Sequence, residues 1–240
     1  MVKTKVILLI IVGLLSFSLK AAGPAMHVTL GEKWIATFAP EYTEEQKKLF
    51  LLGTVFPDIR YLGVIKRTQT HFKGMTLEKV YATDSPFMRG MYFHSFVDEY
   101  RDRCVRKTGI EKTITEIPRS QQGTFLKLIE DQVLHSQYRW PEFKKYLMSI
   151  PEDEKKFGLE LSALTQWHTA LTLYFSTKPS MILQQVGMFE QNILTLDAQT
   201  IKSWGTLLPQ YADSSEMKKH VEQMLHAFDE AFTSLHVVQQ

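Results

Sequence analysis

The sequence predicts an all-α fold: a single-domain multi-helix bundle with a metal site between helices. Three observations predict it. Apolar residues recur closer to every 3.6 than to every 2 positions over most of the chain, prolines fall between those runs, and no stretch alternates between tight-turn signals as a hairpin does. A chain of 240 residues, 44% hydrophobic, is long enough for one sizeable core, and no polar or Pro/Gly-rich linker divides it.

The elements follow in order. Lys3 and Lys5 precede an apolar run from Val6 to Phe17 and the small residues Ala21, Ala22 and Gly23, the order of a secretory leader. The run is too short for a helix to cross ~30 Å of hydrocarbon. The expected division is therefore a signal peptide over 1–22 and one helical domain over 23–240, with export to the periplasm or the medium. Thr43 is placed to cap a helix from Glu44 to Leu52, supported by Glu45 or Gln46, which stops between Gly53 and Pro57 and leaves Asp58 just past its end. Further helices are predicted over Phe87–Arg103, Gln121–Tyr138, Pro141–Met148, Gly158–Phe175, Pro179–Leu194 and Ser214–Leu235, with Pro118, Pro141, Pro151, Pro179 and Pro209 as punctuation.

Loss of Lys3, Lys5 and Lys20 with the leader changes the formal charge from +2 to about −1. No strong nucleic-acid signal remains in the total. No Gly-x-Ser-x-Gly, P-loop or GxGxxG motif is present, which leaves serine-hydrolase, nucleotide-phosphate and dinucleotide chemistry without a foothold. Cys104 is the one cysteine, so no intramolecular disulfide forms, and it reads as a small buried hydrophobe.

The chemistry concentrates in the first hundred residues. His94 and Asp98 are four apart, so on a helix they share a face one turn apart. Met91, Tyr92, Phe93, Phe96 and Val97 bury that helix nearly all round, and a buried carboxylate without a basic partner is costly. A bound cation removes that cost, and imidazole with carboxylate suits zinc. His27, Asp58 and His71 lie upstream. Among the later histidines, His168 beside Trp167 reads as a satisfied core residue, while His220, His226 and His236 read as surface. Trp140, Trp167 and Trp204 read as core or a substrate-lining wall.

Met26-His27, Leu52-Gly53-Thr54-Val55-Phe56-Pro57-Asp58, His71-Phe72, and Gly90-Met91-Tyr92-Phe93-His94-Ser95-Phe96-Val97-Asp98 resemble, in order and spacing, the bacterial zinc-dependent phospholipase C family. The resemblance covers residues 25–104; beyond them it is only that both are helical. It implies one to three zinc ions held by His27, Asp58, His71, His94 and Asp98, with Asp58 orienting or deprotonating the attacking water. It also implies that Asp98 bridges to a metal bound by His27 and by a free amino terminus near Ala22 or Gly23. The implied substrate is a phospholipid or other phosphodiester, met in transient contact with a membrane surface, through an apolar entrance of Phe56, Tyr61, Leu62 and Phe72. Zinc nucleases share the fold and ligand order, and a single-metal, non-catalytic binding protein is the alternative from another class.

The chain departs from the family after Asp98. Glu99-Tyr100-Arg101-Asp102-Arg103-Cys104 carries no further histidine, and Leu126 stands four residues before Glu130 where the family has the histidine of a His-x3-Glu pair. Asp131 and His135 have i, i+4 spacing and are either a relocated second metal site or an ordinary helix face. Asp102 extends the acidic stripe or pairs with a neighbouring arginine.

Overall fold

The computed structural model describes residues 21–187 and 198–238, with side chains through Leu235. The leader expectation therefore lies outside the described residues except at Ala21 and Ala22, both of which are buried. The described helices are α1 (Pro24–Phe38), α2 (Glu44–Val55), a 3-10 turn (Phe56–Leu62), α3 (Leu77–Tyr81), α4 (Pro86–Thr108), α5 (Arg119–Gln137), α6 (Pro141–Tyr146), α7 (Glu152–Lys155), α8 (Leu161–Ser176), α9 (Pro179–Gly187), α10 (Ala198–Asp213) and α11 (Ser215–Val238). No strand occurs among the described residues, as expected of an all-α bundle.

Local chemistry sets the boundaries that matter for the site. Thr43 and Gln46 cap α2 reciprocally, each side chain bonding the other's backbone N–H, so one residue of the anticipated pair provides the support. The helix then tightens into the 3-10 turn at Pro57, which places Asp58 on ordered backbone one residue further on. Ser85 caps α4, and Gly109, at φ 63°, ends it in the left-handed conformation that glycine adopts without steric cost.

The tightest packing joins α2 to α4, because both helices present glycine at the crossing. A Cβ on Gly53 would lie 2.2 Å from the Phe87 carbonyl oxygen, and one on Gly90 would lie 2.1 Å from that of Phe50. The two backbones therefore touch, and everything carried by the end of α2 is held against α4. Around this contact Trp34, Phe50, Phe93, Phe125, Trp167 and Phe228 belong to one continuous buried cluster, the single core of the bundle. Among the described residues no helix is long and apolar enough to cross a membrane.

The structure departs from the expectation at Pro209 and goes beyond it over residues 24–38. Pro209 is inside α10, where it was expected to be punctuation. Residues 24–38 form a helix that the sequence reading left unassigned; most of its positions are buried, so it lacks the polar face that marks an amphipathic helix. The predicted Pro179–Leu194 helix is described only to Gly187, and the rest lies outside the described residues.

Candidate metal centre

α1 contributes His27, the turn after α2 contributes Asp58, the loop before α3 contributes His71, and α4 contributes His94 and Asp98. Their side chains meet in two overlapping groups, His27 with His94 and Asp98, and Asp58 with His71 and His94; within each group the ligand atoms lie within 4.8 Å of one another. His94 Nε2 is 3.2 Å from His71 Nε2 and 3.5 Å from Asp98 Oδ2. His71 Nε2 is 3.8 Å from Asp98 Oδ2 and 3.9 Å from Asp58 Oδ1. A tetrahedral zinc site with bonds of ~2.0 to 2.2 Å has edges of roughly 3.3 to 3.6 Å, so the His71, His94 and Asp98 atoms need to move only a few tenths of an ångström to meet at one ion.

Partners outside the cluster fix which nitrogens face inward. His94 Nδ1 donates to the Thr54 carbonyl at 2.8 Å, leaving Nε2 as its one ligand atom. His71 Nδ1 lies 3.0 Å from Thr70 Oγ1, and that hydroxyl donates to the Pro57 carbonyl, so the imidazole N–H points at Thr70 and Nε2 points at the centre. His27 rests on the His94 ring, centroids 4.0 Å apart. His94 belongs to both groups but offers a single nitrogen, so it can ligate in only one of them at a time.

Several buried polar atoms of the cluster lack hydrogen bonds, although Arg60 and Lys127 also face its carboxylates. Asp58 Oδ1, Asp98 Oδ2 and both ring nitrogens of His27 are buried without a hydrogen bond. Such groups normally find partners, so their convergence at one point is the strongest sign that the residues fit a metal. Burial, then the neighbouring His94, lowers the His27 pKa to about 4, and burial with His94 also holds His71 well below an ordinary imidazole. Burial opposes charge on His94 too, but the Asp98 and Asp58 carboxylates outweigh it and raise its pKa. Burial likewise disfavours the Asp98 anion, yet His94 and His27 hold its carboxyl well below the usual range. Two of the three imidazoles are thus neutral at neutral pH, the form that ligates metal.

Beside the cluster opens a cleft of ≈ 490 Å³ whose lining includes His71, Phe72, Asp98, Arg67 and Lys73. Of the predicted apolar entrance, Phe72 lines this cleft and Tyr61 and Leu62 pack half-buried on the core. Phe56 does not line it; its ring is fully buried against Phe87 and Phe157. Asp102 pairs with Arg106 at 2.8 Å, the salt-bridge alternative of its two readings.

Asp131 and His135 join neither group. Asp131 is buried and accepts hydrogen bonds from the backbone N–H groups of Ala25 and Met26, both at 3.1 Å, and from the Tyr174 hydroxyl. Its carboxylate caps the free N–H groups at the start of α1, so the metal role expected of it is replaced by a helix-terminus role. His135 turns away toward Trp140 and Tyr174. The relocated second site expected of this pair is not formed.

Sequence reading missed several buried charges. Arg101 donates to Glu130 at 2.6 Å, and Glu130 also meets His220 Nε2 at 3.0 Å, so His220 is a core residue and not the surface residue expected. Lys127 is fully buried on α5; burial lowers its pKa while the carboxylates of Asp58, Asp131 and Asp98 pull it back up. Its i, i+4 relation to Asp131 is the one local signal of that burial in the sequence. His168 is satisfied as expected, bonded to the Leu147 carbonyl at 3.0 Å and to Glu154 at 2.9 Å.

No family model, curated protein or solved structure matches the chain. What the fold and the site define is a helical bundle whose buried His/Asp clusters can hold a metal ion.

Proposed function

We propose that this chain is an exported zinc-dependent phosphodiester hydrolase of the phospholipase C type. One observation carries the reading: two His/Asp groups overlap at His94, Asp58 Oδ1 and Asp98 Oδ2 lack hydrogen bonds, and His71 and Asp98 line a cleft large enough for a substrate. Asp58, His71, His94 and Asp98 would hold a zinc ion, which would supply a Lewis acid and lower the pKa of a bound water toward neutrality.

The chain's own residues supply the rest. Asp58 accepts the proton of the attacking water, and Arg60 Nη2, 3.3 Å from its Oδ1, keeps the carboxylate oriented. Arg67 and Lys73, exposed at the cleft, meet the phosphate charge, while Phe72 offers an apolar surface to the esterified group. Thr54 and Thr70 hold the two imidazoles in the ligating tautomer.

A second reading, a single-metal binding protein without turnover, is favoured by one observation: Asp131 is committed to capping α1 and leaves no second cluster on α5.

The test is turnover by the zinc-loaded chain of bis(p-nitrophenyl) phosphate, a phosphocholine ester and single-stranded nucleic acid. Hydrolysis of at least one is expected, and Asp58→Asn is expected to lower it at least ~100-fold with the helical circular dichroism retained. Preference for the nucleic acid places the chain with the nucleases. Bound zinc with no turnover of any of the three overturns the proposal in favour of the binding protein.

A further inference from the structure

A second cavity, ≈ 270 Å³, lies where α5 ends and α6 begins, and it shares no lining residue with the metal cleft. His135, Trp140 and Phe175 form its walls, and Arg139, Lys144 and Lys178 stand around it. No carboxylate lines it, and among the described residues none of these three cations has an ion pair. Some surface lysines pair with acids one turn away, as in Lys47–Glu44, Lys145–Glu142 and Lys156–Asp153; here three cations without such a partner line one cavity. Like charges gathered around a small, partly enclosed space repel one another, and an anion is what relieves them.

The walls narrow the ligand further. The His135 ring lies 4.6 Å from the Trp140 indole, and Phe175 meets the same indole at 5.2 Å, so the enclosed part of the cavity is aromatic. His135 Nε2 and Trp140 Nε1 are both buried without a hydrogen-bond partner, two polar atoms unsatisfied beside one cavity. Burial, then the Lys178 ammonium, lowers the His135 pKa to about 4, which keeps the imidazole neutral and able to donate one N–H. The volume is just below the ~300 to 1,000 Å³ of pockets for drug-sized molecules, so the ligand is small.

We propose that this cavity is an anion-binding site for a small organic acid, a single carboxylate or phosphate group on a flat apolar body, held by Arg139, Lys144 and Lys178 against the Trp140 and Phe175 walls. The assignment does not rest on the metal-site reading. It also gives His135 a task that the metal centre does not.

The experiment titrates the purified full chain with phenyl phosphate and benzoate, and with inorganic phosphate and benzyl alcohol as half-ligands. Binding is followed by calorimetry and by the ring resonances of His135. Saturable binding of at least one aryl anion is expected, tighter than either half-ligand, and the tighter of the two identifies the head group. The double variant Arg139→Ala, Lys178→Ala is expected to weaken it about tenfold or more, since each removes a charged partner, while the helical circular dichroism is unchanged. Stripping divalent metal with a chelator is expected to leave the affinity intact. Absence of saturation by either aryl anion, equal binding of benzyl alcohol, unaltered affinity in the double variant, or loss of binding on chelation each overturns the site.

Discussion

The backbone nitrogen of Ala22 lies 2.9 Å from Oδ1 of Asp98, a residue 76 positions away, while Oδ2 of the same carboxylate faces His94 and His71. Asp98 therefore looks in two directions, and His27 Nε2 approaches the Oδ1 side at 3.3 Å. As an amide, the Ala22 nitrogen only donates a hydrogen bond. As the α-amino group of a chain cleaved after Ala21, it would carry a lone pair and a pKa of ~8, and it would be a metal ligand in the position the resemblance implies. We expect a chain beginning at Ala22 to bind zinc about tenfold more tightly than one retaining Ala21, measured by competition with a chromogenic chelator. Equal affinities would reduce the contact to a hydrogen bond.

What the sequence made legible is what depends on short range. His94 and Asp98 share a face because four residues of helix put them there, and Asp58 follows Pro57 at the turn where α2 ends. Thr43 and Gln46 cap α2 through contacts three residues apart. The relations that stayed hidden span the chain. Asp131 reaches Ala25 and Met26 across more than a hundred residues, and Glu130 meets Arg101 and His220 across 29 and 90. Nothing local separates an acid that caps a distant helix from one that binds metal, because both need a buried, correctly aimed carboxylate. His220 read as surface for the same reason: its partner lies on another helix. Pro209 failed as punctuation because tertiary packing of α10 outweighs a lost hydrogen bond.

His168 and Glu154 give the fold a dependence on pH. Burial alone would lower the His168 pKa, but its Glu154 partner, 2.9 Å away, and the Leu147 carbonyl raise it above 6.5. A histidine with a raised folded-state pKa contributes stability that is complete below its unfolded pKa and fades as the pH rises through the folded value. Each unit of elevation corresponds to about 1.4 kcal/mol. Urea unfolding of the native chain is therefore expected to show more of this contribution at pH 6 than at pH 9. In Glu154→Gln, which keeps a hydrogen-bond acceptor but removes the charge, the fall between the two pH values is expected to shrink. An identical fall in both proteins would remove this pair as its source.

Gly90 decides how closely α4 approaches α2, and its replacement separates two opposing effects. In an open helix position Gly→Ala stabilises, by roughly 0.5 to 1 kcal/mol, because alanine loses less backbone entropy on folding. Here the new Cβ would lie 2.1 Å from the Phe50 carbonyl oxygen and 2.9 Å from the Gly53 backbone, atoms that move only if the helices part. Overpacking of that kind costs about 1 to 3 kcal/mol, so the clash outweighs the propensity gain and the sign reverses. The consequence reaches the metal centre, since the Thr54 carbonyl that orients His94 sits one residue beyond Gly53. Gly90→Ala is expected to lower the midpoint of thermal unfolding and to weaken zinc binding together, while a control Gly→Ala change far from the α2–α4 crossing leaves zinc affinity unchanged. A stabilised Gly90→Ala protein with full zinc affinity would show that the contact between the two backbones does not hold the site.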